Sequence, residues 1–205
     1  IKRLLVLLVV CTSFVALTGC KDKTVEGDLT EIMEKVYEKM YAEVPEDKRP
    51  MLMTTNALNP FEGATEEDIQ YQITNAIGTT EIDYEEIVYS EPPMTSIAYS
   101  VALVRMKKNA DIEAAKKTIK ESVDPRKWMC VEVPEEDIIV KSKGDLIILI
   151  MVADETLRET IAFEVAFIHV ISFLVSRKIP KLDYLELLKF VDKDEIYSWY
   201  EIDDN

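Results

Sequence analysis

The chain has 205 residues, of which 24 are basic and 39 acidic, so its formal net charge is −15, and 48% of its residues are hydrophobic. This length and apolar fraction fit one globular domain that folds without disulfide bonds. Eight prolines and five glycines exclude a collagen-like or wholly disordered chain. The negative charge argues against nucleic acid as a partner, because a surface that binds phosphates must supply cations.

The N-terminal segment has the pattern of an export signal. Lys2 and Arg3 precede an apolar run that extends from Leu4 to Leu17. A basic start followed by a short apolar run is typical of a signal peptide, and this run is shorter than the ~20 residues of a membrane-spanning helix. The run ends in the tetrapeptide Leu17-Thr18-Gly19-Cys20.

This tetrapeptide resembles the lipobox of bacterial lipoproteins, in which an aliphatic residue and two small residues precede a cysteine. The resemblance implies that the Cys20 thiol receives a diacylglycerol and that the signal is cut between Gly19 and Cys20. It predicts a protein held by lipid on the extracytoplasmic face of the cell membrane. The alternative is a plain secretory signal that ends in an incidental cysteine.

These features predict four parts of the chain: a lipoprotein signal peptide (1–19), a lipid-anchored tether (20–28), one α+β domain (29–178) and a C-terminal helical extension (179–205). Removal of the signal takes away Lys2 and Arg3 and no acid, which changes the charge from −15 to −17. Cys11 leaves with the signal and Cys20 is acylated. Cys130 is then the one remaining thiol, so no intramolecular disulfide is predicted.

The first half of the domain is predicted to be mainly helical. Apolar spacing and a cap at Asp28 predict a helix that starts at Leu29 and ends before Pro45. Residues 44–61 are predicted to form an extended segment or a loop that crosses the domain, with a short strand at 51–53. Thr65 is predicted to cap a second helix, which Gly78 ends.

In the second half of the domain, apolar residues follow the two-residue period of β-strands. Alternation predicts an antiparallel pair over 85–90 and 96–106, then a helix that Asn109 caps and Asp124-Pro125 ends. A second pair, 138–141 and 146–152, flanks a four-residue loop, and the wholly apolar strand 146–152 is predicted to be central. Asp154 is predicted to cap a last helix over 155–177.

The predicted fold class is α+β: a four-stranded, mainly antiparallel sheet with helices on one face, formed by two strand-strand-helix halves after an N-terminal helical pair. Residues 28–163 resemble a domain of unknown function found in small lipoproteins of Gram-positive anaerobes. The matching features are Asp83-Tyr84-Glu85-Glu86 before Pro92-Pro93-Met94, the strand 99–106, a lysine-rich helix, and Lys143-Gly144-Asp145 before an apolar strand. The resemblance brings no catalytic residues, and the chain from about Ala166 exceeds its pattern.

No residue pattern indicates a reaction, and neither a cofactor nor a metal is predicted. The only histidine, His169, lies in the apolar stretch 163–174, and no Gly-x-Ser-x-Gly motif is present. Cys130 lies in the apolar sequence 128–131 and is expected to be a packed structural thiol beside Trp128. Zinc ligands and phosphate-binding glycine motifs are also missing, and Tyr197 stands where a calcium loop beginning near Asp192 needs glycine.

Two functions follow from this reading. The first is a binding or accessory module at the cell surface, with the membrane as partner through its N-terminal lipid and a protein or envelope ligand as its target. The alternative is a carboxylate-based envelope hydrolase, which requires two convergent acids in a cleft. A solute-capturing lipoprotein of a transporter usually has two lobes, and this length fits one.

The run 161–175 is apolar except for Glu164, His169 and Ser172. A helix that is apolar nearly all round is buried in protein or in lipid. The run is shorter than a membrane span, so a core helix covered by residues 182–191 is predicted. A membrane or partner surface is the alternative.

Overall fold

A five-stranded antiparallel sheet forms the centre of the structure, a computed structural model that describes Val25 and residues 27–162. The predicted signal peptide, Gly19, Cys20, His169 and most of the apolar run 161–175 lie outside the described residues. Within those residues, no helix combines the length and the hydropathy that crossing a membrane requires.

The described helices begin at the caps that their sequences supply. Three are complete, α1 (Leu29–Glu43), α2 (Glu66–Ile77) and α3 (Ile112–Ser122), and α4 is described over residues 155–162. As predicted, Asp28, Thr65 and Asp154 each accept a hydrogen bond from a backbone N–H of the first turn.

The cap of α3 differs from the prediction. Asp111, not Asn109, accepts from the N–H of Ala114, at 2.9 Å. Asn109 instead adopts a positive φ of 70° in the turn before the helix. Asparagine serves both roles readily, so the sequence alone did not separate them.

The strands are β1 (Met53–Asn56), β2 (Tyr84–Glu91), β3 (Tyr99–Met106), β4 (Ile139–Lys143) and β5 (Leu146–Val152). Their order across the sheet is β1-β2-β3-β5-β4, and every neighbouring pair is antiparallel. The turn between β4 and β5 contains two residues, 144–145, rather than the four predicted. Gly144 has the expected positive φ, 57°.

The α+β class is confirmed, but the prediction of four strands is wrong. The segment after α1 forms β1 over Met53–Asn56, and β1 pairs with β2 from Met53 opposite Glu91 to Asn56 opposite Val88. This strand separates α1 from α2, so the predicted helical pair is also wrong. The middle strand is β3, and β5 lies beside it.

Helices cover both faces of the sheet, which corrects the prediction of one covered face. On one face, α1 and α4 pack on side chains such as Val101, Leu103 and Ile148. On the other face, α2 and α3 pack on Ala102, Val104 and other alternate residues. Both neighbouring strands β3 and β5 are buried along their whole length, and an unbroken apolar strand requires cover on both sides.

The sheet has two distinct ends. At the proximal end, defined here as the end near Val25, β2 begins, β3 ends and the turn 144–145 joins β4 to β5. At the distal end lie the loop 92–98 between β2 and β3 and the segment 124–138 that follows α3. The two ends carry different side chains, and each is a candidate site.

Candidate functional site

Exposed apolar side chains gather on two adjacent loops at the distal end. The loop between β2 and β3 exposes Met94 and Ile97, and the segment after α3 exposes Met129 and Val131. The loops touch, because the backbone N–H of Met129 donates to the carbonyl of Thr95 at 2.7 Å. The two loops therefore bring exposed apolar side chains that are distant in sequence to the same end of the sheet.

Two further methionines extend this surface. Met53 pairs with Glu91, the last residue of β2, and Met51 precedes it by two residues, so both lie at the distal end. We call these six side chains the distal apolar surface: Met51, Met53, Met94, Ile97, Met129 and Val131. Six of the eight large apolar side chains exposed in the described chain belong to it, and the other two are Phe61, in the loop after β1, and Tyr71, on α2. Such clustering marks interaction sites more often than scattered exposure does.

Cys130 lies on the same loop and is exposed, so the prediction of a packed thiol is wrong. That prediction depended on the apolar sequence 128–131, which is typical of a buried extended segment. Instead the backbone of Cys130 has a positive φ of 61°, which breaks the extended alternation. Trp128 remains buried while the next residues turn outward. Replacement of the thiol by a hydroxyl therefore removes no buried contact.

A buried polar cluster beneath this surface fixes the second loop to the sheet. The Lys127 ammonium donates to Ser100 Oγ on β3, at 3.0 Å, and to the carbonyl of Asn75 on α2, at 2.8 Å. It also forms an ion pair with Glu91 at the end of β2. Asn75 Nδ2 donates to the other oxygen of that carboxylate, at 3.2 Å. Three elements therefore converge on one cation.

The neighbouring residue strengthens this attachment. Trp128 is buried in the core on the α2 and α3 face, and the Lys127 ammonium lies 5.4 Å from the centre of its indole ring. A cation at that distance from an aromatic face is attracted to it. Residues 127 and 128 thus hold the loop from inside, while residues 129–131 face outward.

The chemistry of this cluster resembles a serine–lysine pair. Burial lowers the pKa of Lys127, and the Glu91 carboxylate opposes that shift. An amine with a lowered pKa beside a serine hydroxyl is an arrangement that some hydrolases use. Here, however, Ser100 is 0% exposed, and the amine is shared with Glu91 and Asn75. No substrate reaches Ser100 Oγ in this conformation, so we assign the cluster a structural role.

A second polar cluster lies at the proximal end, around Arg105 of β3. The guanidinium donates to the backbone carbonyls of Val25 and Gly27, the latter at 2.6 Å. The Glu86 and Asp145 carboxylates lie 3.6 Å and 3.8 Å from it. The N–H of Val25 donates to Asp145 Oδ1 at 2.8 Å. The segment before α1 is therefore fastened to β3 and to the turn between β4 and β5.

This proximal cluster contains two convergent acids, the feature that the hydrolase alternative requires. Glu86 and Asp145 converge on the Arg105 guanidinium, which is itself only 8% exposed. Their carboxylates therefore neutralise a buried cation and hold Val25 in place. Sequence reasoning missed both clusters, because their members lie on separate strands, helices and loops, and only the packing of these elements brings them together.

Metal ligation and similarity to other proteins give no further site. Within Val25 and residues 27–162, no group of three or more His, Cys, Asp or Glu side chains is placed to hold a metal ion. Comparison with family models, curated proteins and solved structures finds no match to this chain. The resemblance of residues 28–163 to a domain of small lipoproteins stays a prediction from the sequence.

Proposed function

We propose that the chain is a lipid-anchored extracytoplasmic module that binds a protein partner through the distal apolar surface. The observation that carries this proposal is the concentration of exposed apolar side chains on two adjacent loops, one of which is fixed by Lys127 and Trp128. A preformed apolar surface binds without first ordering its loops, which lowers the entropic cost of association.

The composition of the surface favours a protein partner. Four of its six side chains are methionines, whose flexible thioethers adapt to different apolar partners and which are enriched in protein interfaces. The six include no aromatic ring, the group on which sugars usually stack. With a net charge of −15, the chain also disfavours polyanions as partners.

The sequence supports the lipid anchor. The basic start, the short apolar run and Leu17-Thr18-Gly19-Cys20 occur together and in the order that lipidation requires. A diacylglycerol supplies two acyl chains, and two chains hold a protein on a membrane far more firmly than one. The proposed location is the extracytoplasmic face of the cell membrane.

Replacing the lipid-bearing cysteine tests the anchor. We expect Cys20→Ser to abolish membrane retention and Cys11→Ser, a matched change within the apolar run, to preserve it. The measurement is membrane fractionation of the chain expressed with its own signal, together with mass spectrometry of the mature N-terminus. An unmodified Cys20 in the wild-type protein contradicts the proposal.

Charged substitutions test the binding surface. We expect the double variant Met94→Glu, Met129→Glu to lose the partner that the wild-type protein captures by cross-linking on intact membranes. Loss of two apolar contacts in an interface typically lowers affinity by about thirtyfold, or about 2 kcal/mol. Phe61→Glu is the control, because Phe61 is similarly exposed and follows the end of β1 that points away from the distal end. If the double variant retains the same partner, the distal apolar surface is not the site.

A further inference from the structure

We propose that the domain stands with its proximal end towards the membrane, so that the distal apolar surface faces away from the lipid. This inference rests on the proposed lipidation of Cys20 and adds the orientation of the anchored domain. It follows from two lengths and one point of attachment. The lengths are those of the chain between the lipid and the sheet and of the sheet itself, and the point of attachment is Val25.

The chain between the lipid and the domain is short. Val25 follows Cys20 by five residues. A fully extended chain advances about 3.5 Å per residue, so Val25 lies within about 17 Å of the lipid-bearing residue. The tether predicted over 20–28 thus ends earlier, at Val25, because this residue already belongs to the folded domain.

Val25 is a fixed point on the proximal end of the sheet. Its side chain is buried, its N–H donates to Asp145, and its carbonyl accepts from Arg105. The carbonyl of Gly27 accepts from the same guanidinium. Because Arg105 belongs to β3 and Asp145 to the turn before β5, the segment cannot swing towards the distal end without breaking several of these bonds.

The sheet is longer than the reach of the tether. β3 has eight residues, which at a rise of about 3.3 Å each separate the two ends by roughly 25 Å. If the distal surface rested on the membrane, Val25 would stand farther from the lipid than five residues can span. An inverted domain is therefore excluded, and upright or tilted positions remain.

Of the upright and tilted positions, the net charge of the domain favours the upright one. The mature chain carries a predicted charge of −17, and an anionic bilayer repels such a domain. An upright domain brings only one end of the sheet close to the lipid, whereas a tilted domain brings more of this negatively charged domain close. The membrane is therefore the neighbour of the proximal end, and the protein partner approaches from outside.

Fluorescence from two sites tests the orientation in lipidated protein reconstituted into vesicles. The distal reporter is a dye on the natural thiol, Cys130, which is exposed. The proximal reporter is a dye on Lys108→Cys in a Cys130→Ser background, since Lys108 is exposed in the turn after β3. We expect a quencher on the lipid headgroups to quench the proximal dye several-fold more strongly than the distal dye.

Insertion of a flexible ten-residue Gly-Ser segment after Lys23 is the matched control. It lengthens the tether beyond the sheet, so the difference between the two dyes should shrink markedly. Equal quenching of both dyes, or stronger quenching of the distal dye, with the natural tether overturns the orientation. Mass spectrometry of the same samples separates this result from a failure of lipidation, which would refute the proposed function instead.

Discussion

Gly78→Ala is expected to destabilise the domain by about 3 kcal/mol or more, as the sum of backbone strain and overpacking. Gly78 ends α2 with a φ of 78°, in the left-handed region. A Cβ at this position would lie 2.4 Å from the carbonyl carbon and oxygen of Ser122 and 2.5 Å from the nitrogen of Val123. These are backbone atoms at the end of α3, so they cannot move aside as a flexible side chain does.

Gly63→Ala separates the two causes. Gly63 has a similar φ of 82°, but a Cβ there meets nothing within 4 Å. Only the strain applies, and we expect a loss of about 1 kcal/mol. Both variants are compared with the parent by urea unfolding of the chain without its signal. Equal losses would show that the ends of α2 and α3 are not packed as closely as described.

Arg105→Met is expected to cost about 3 kcal/mol of stability, because it leaves two partly buried carboxylates without their cation. The Glu86 and Asp145 side chains are 24% and 20% exposed, so water compensates only a part of the loss. The carbonyls of Val25 and Gly27 also lose their donor. Methionine retains most of the side-chain volume, which keeps the packing contribution small.

Lys117→Met is the matched control for this substitution. Lys117 lies 3.9 Å from Glu121 on α3, and both side chains are mostly exposed. Exposed pairs of this kind contribute about 0.5 kcal/mol or less. Limited proteolysis near Val25 gives a second readout, since only Arg105→Met should release that segment. If the two variants lose the same stability, the proximal cluster does not fasten the chain.

Local signals predicted the helices well. A cap needs only the residues within one turn, so Asp28 and Thr65 marked the starts of α1 and α2 correctly. Gly78 likewise marked the end of α2, because a left-handed residue after a helix is nearly always glycine. Alternation of apolar residues also identified the buried strand β3, and an unbroken apolar run identified β5.

The first strand and the second covered face were not predictable in the same way. β1 (Met53–Asn56) has four residues and no periodic pattern, so only a short strand at 51–53 was predicted, and its place in the sheet comes from pairing with β2 more than thirty residues later. The apolar pattern of β3 indicates burial on both sides but does not say which helices provide the cover. That choice depends on how the chain crosses the sheet.

The candidate site was also not predictable from the sequence, because it depends on contacts between residues that are distant in the chain. Met94 and Met129 belong to no sequence motif. The hydrogen bond from Met129 to Thr95, the neighbour of Met94, appears only in the fold. Cys130 was misplaced because one residue with positive φ reverses the direction of an apolar segment. The prediction for Cys20 depends on a local motif alone, which is why it could be made although the residue lies outside the described structure.

The two edge strands of the sheet decide whether copies of this protein on one membrane, as proposed above, can join their sheets side by side. Lipid anchors confine proteins to two dimensions, where collisions between parallel neighbours are frequent. Exposed strand edges then invite sheets to join side by side. In the part of the chain that the structure describes, one edge strand, β1, has only four residues, and the other, β4, carries Lys141 and Lys143. Short and charged edges oppose such joining, so domains anchored as proposed above can crowd together and remain separate.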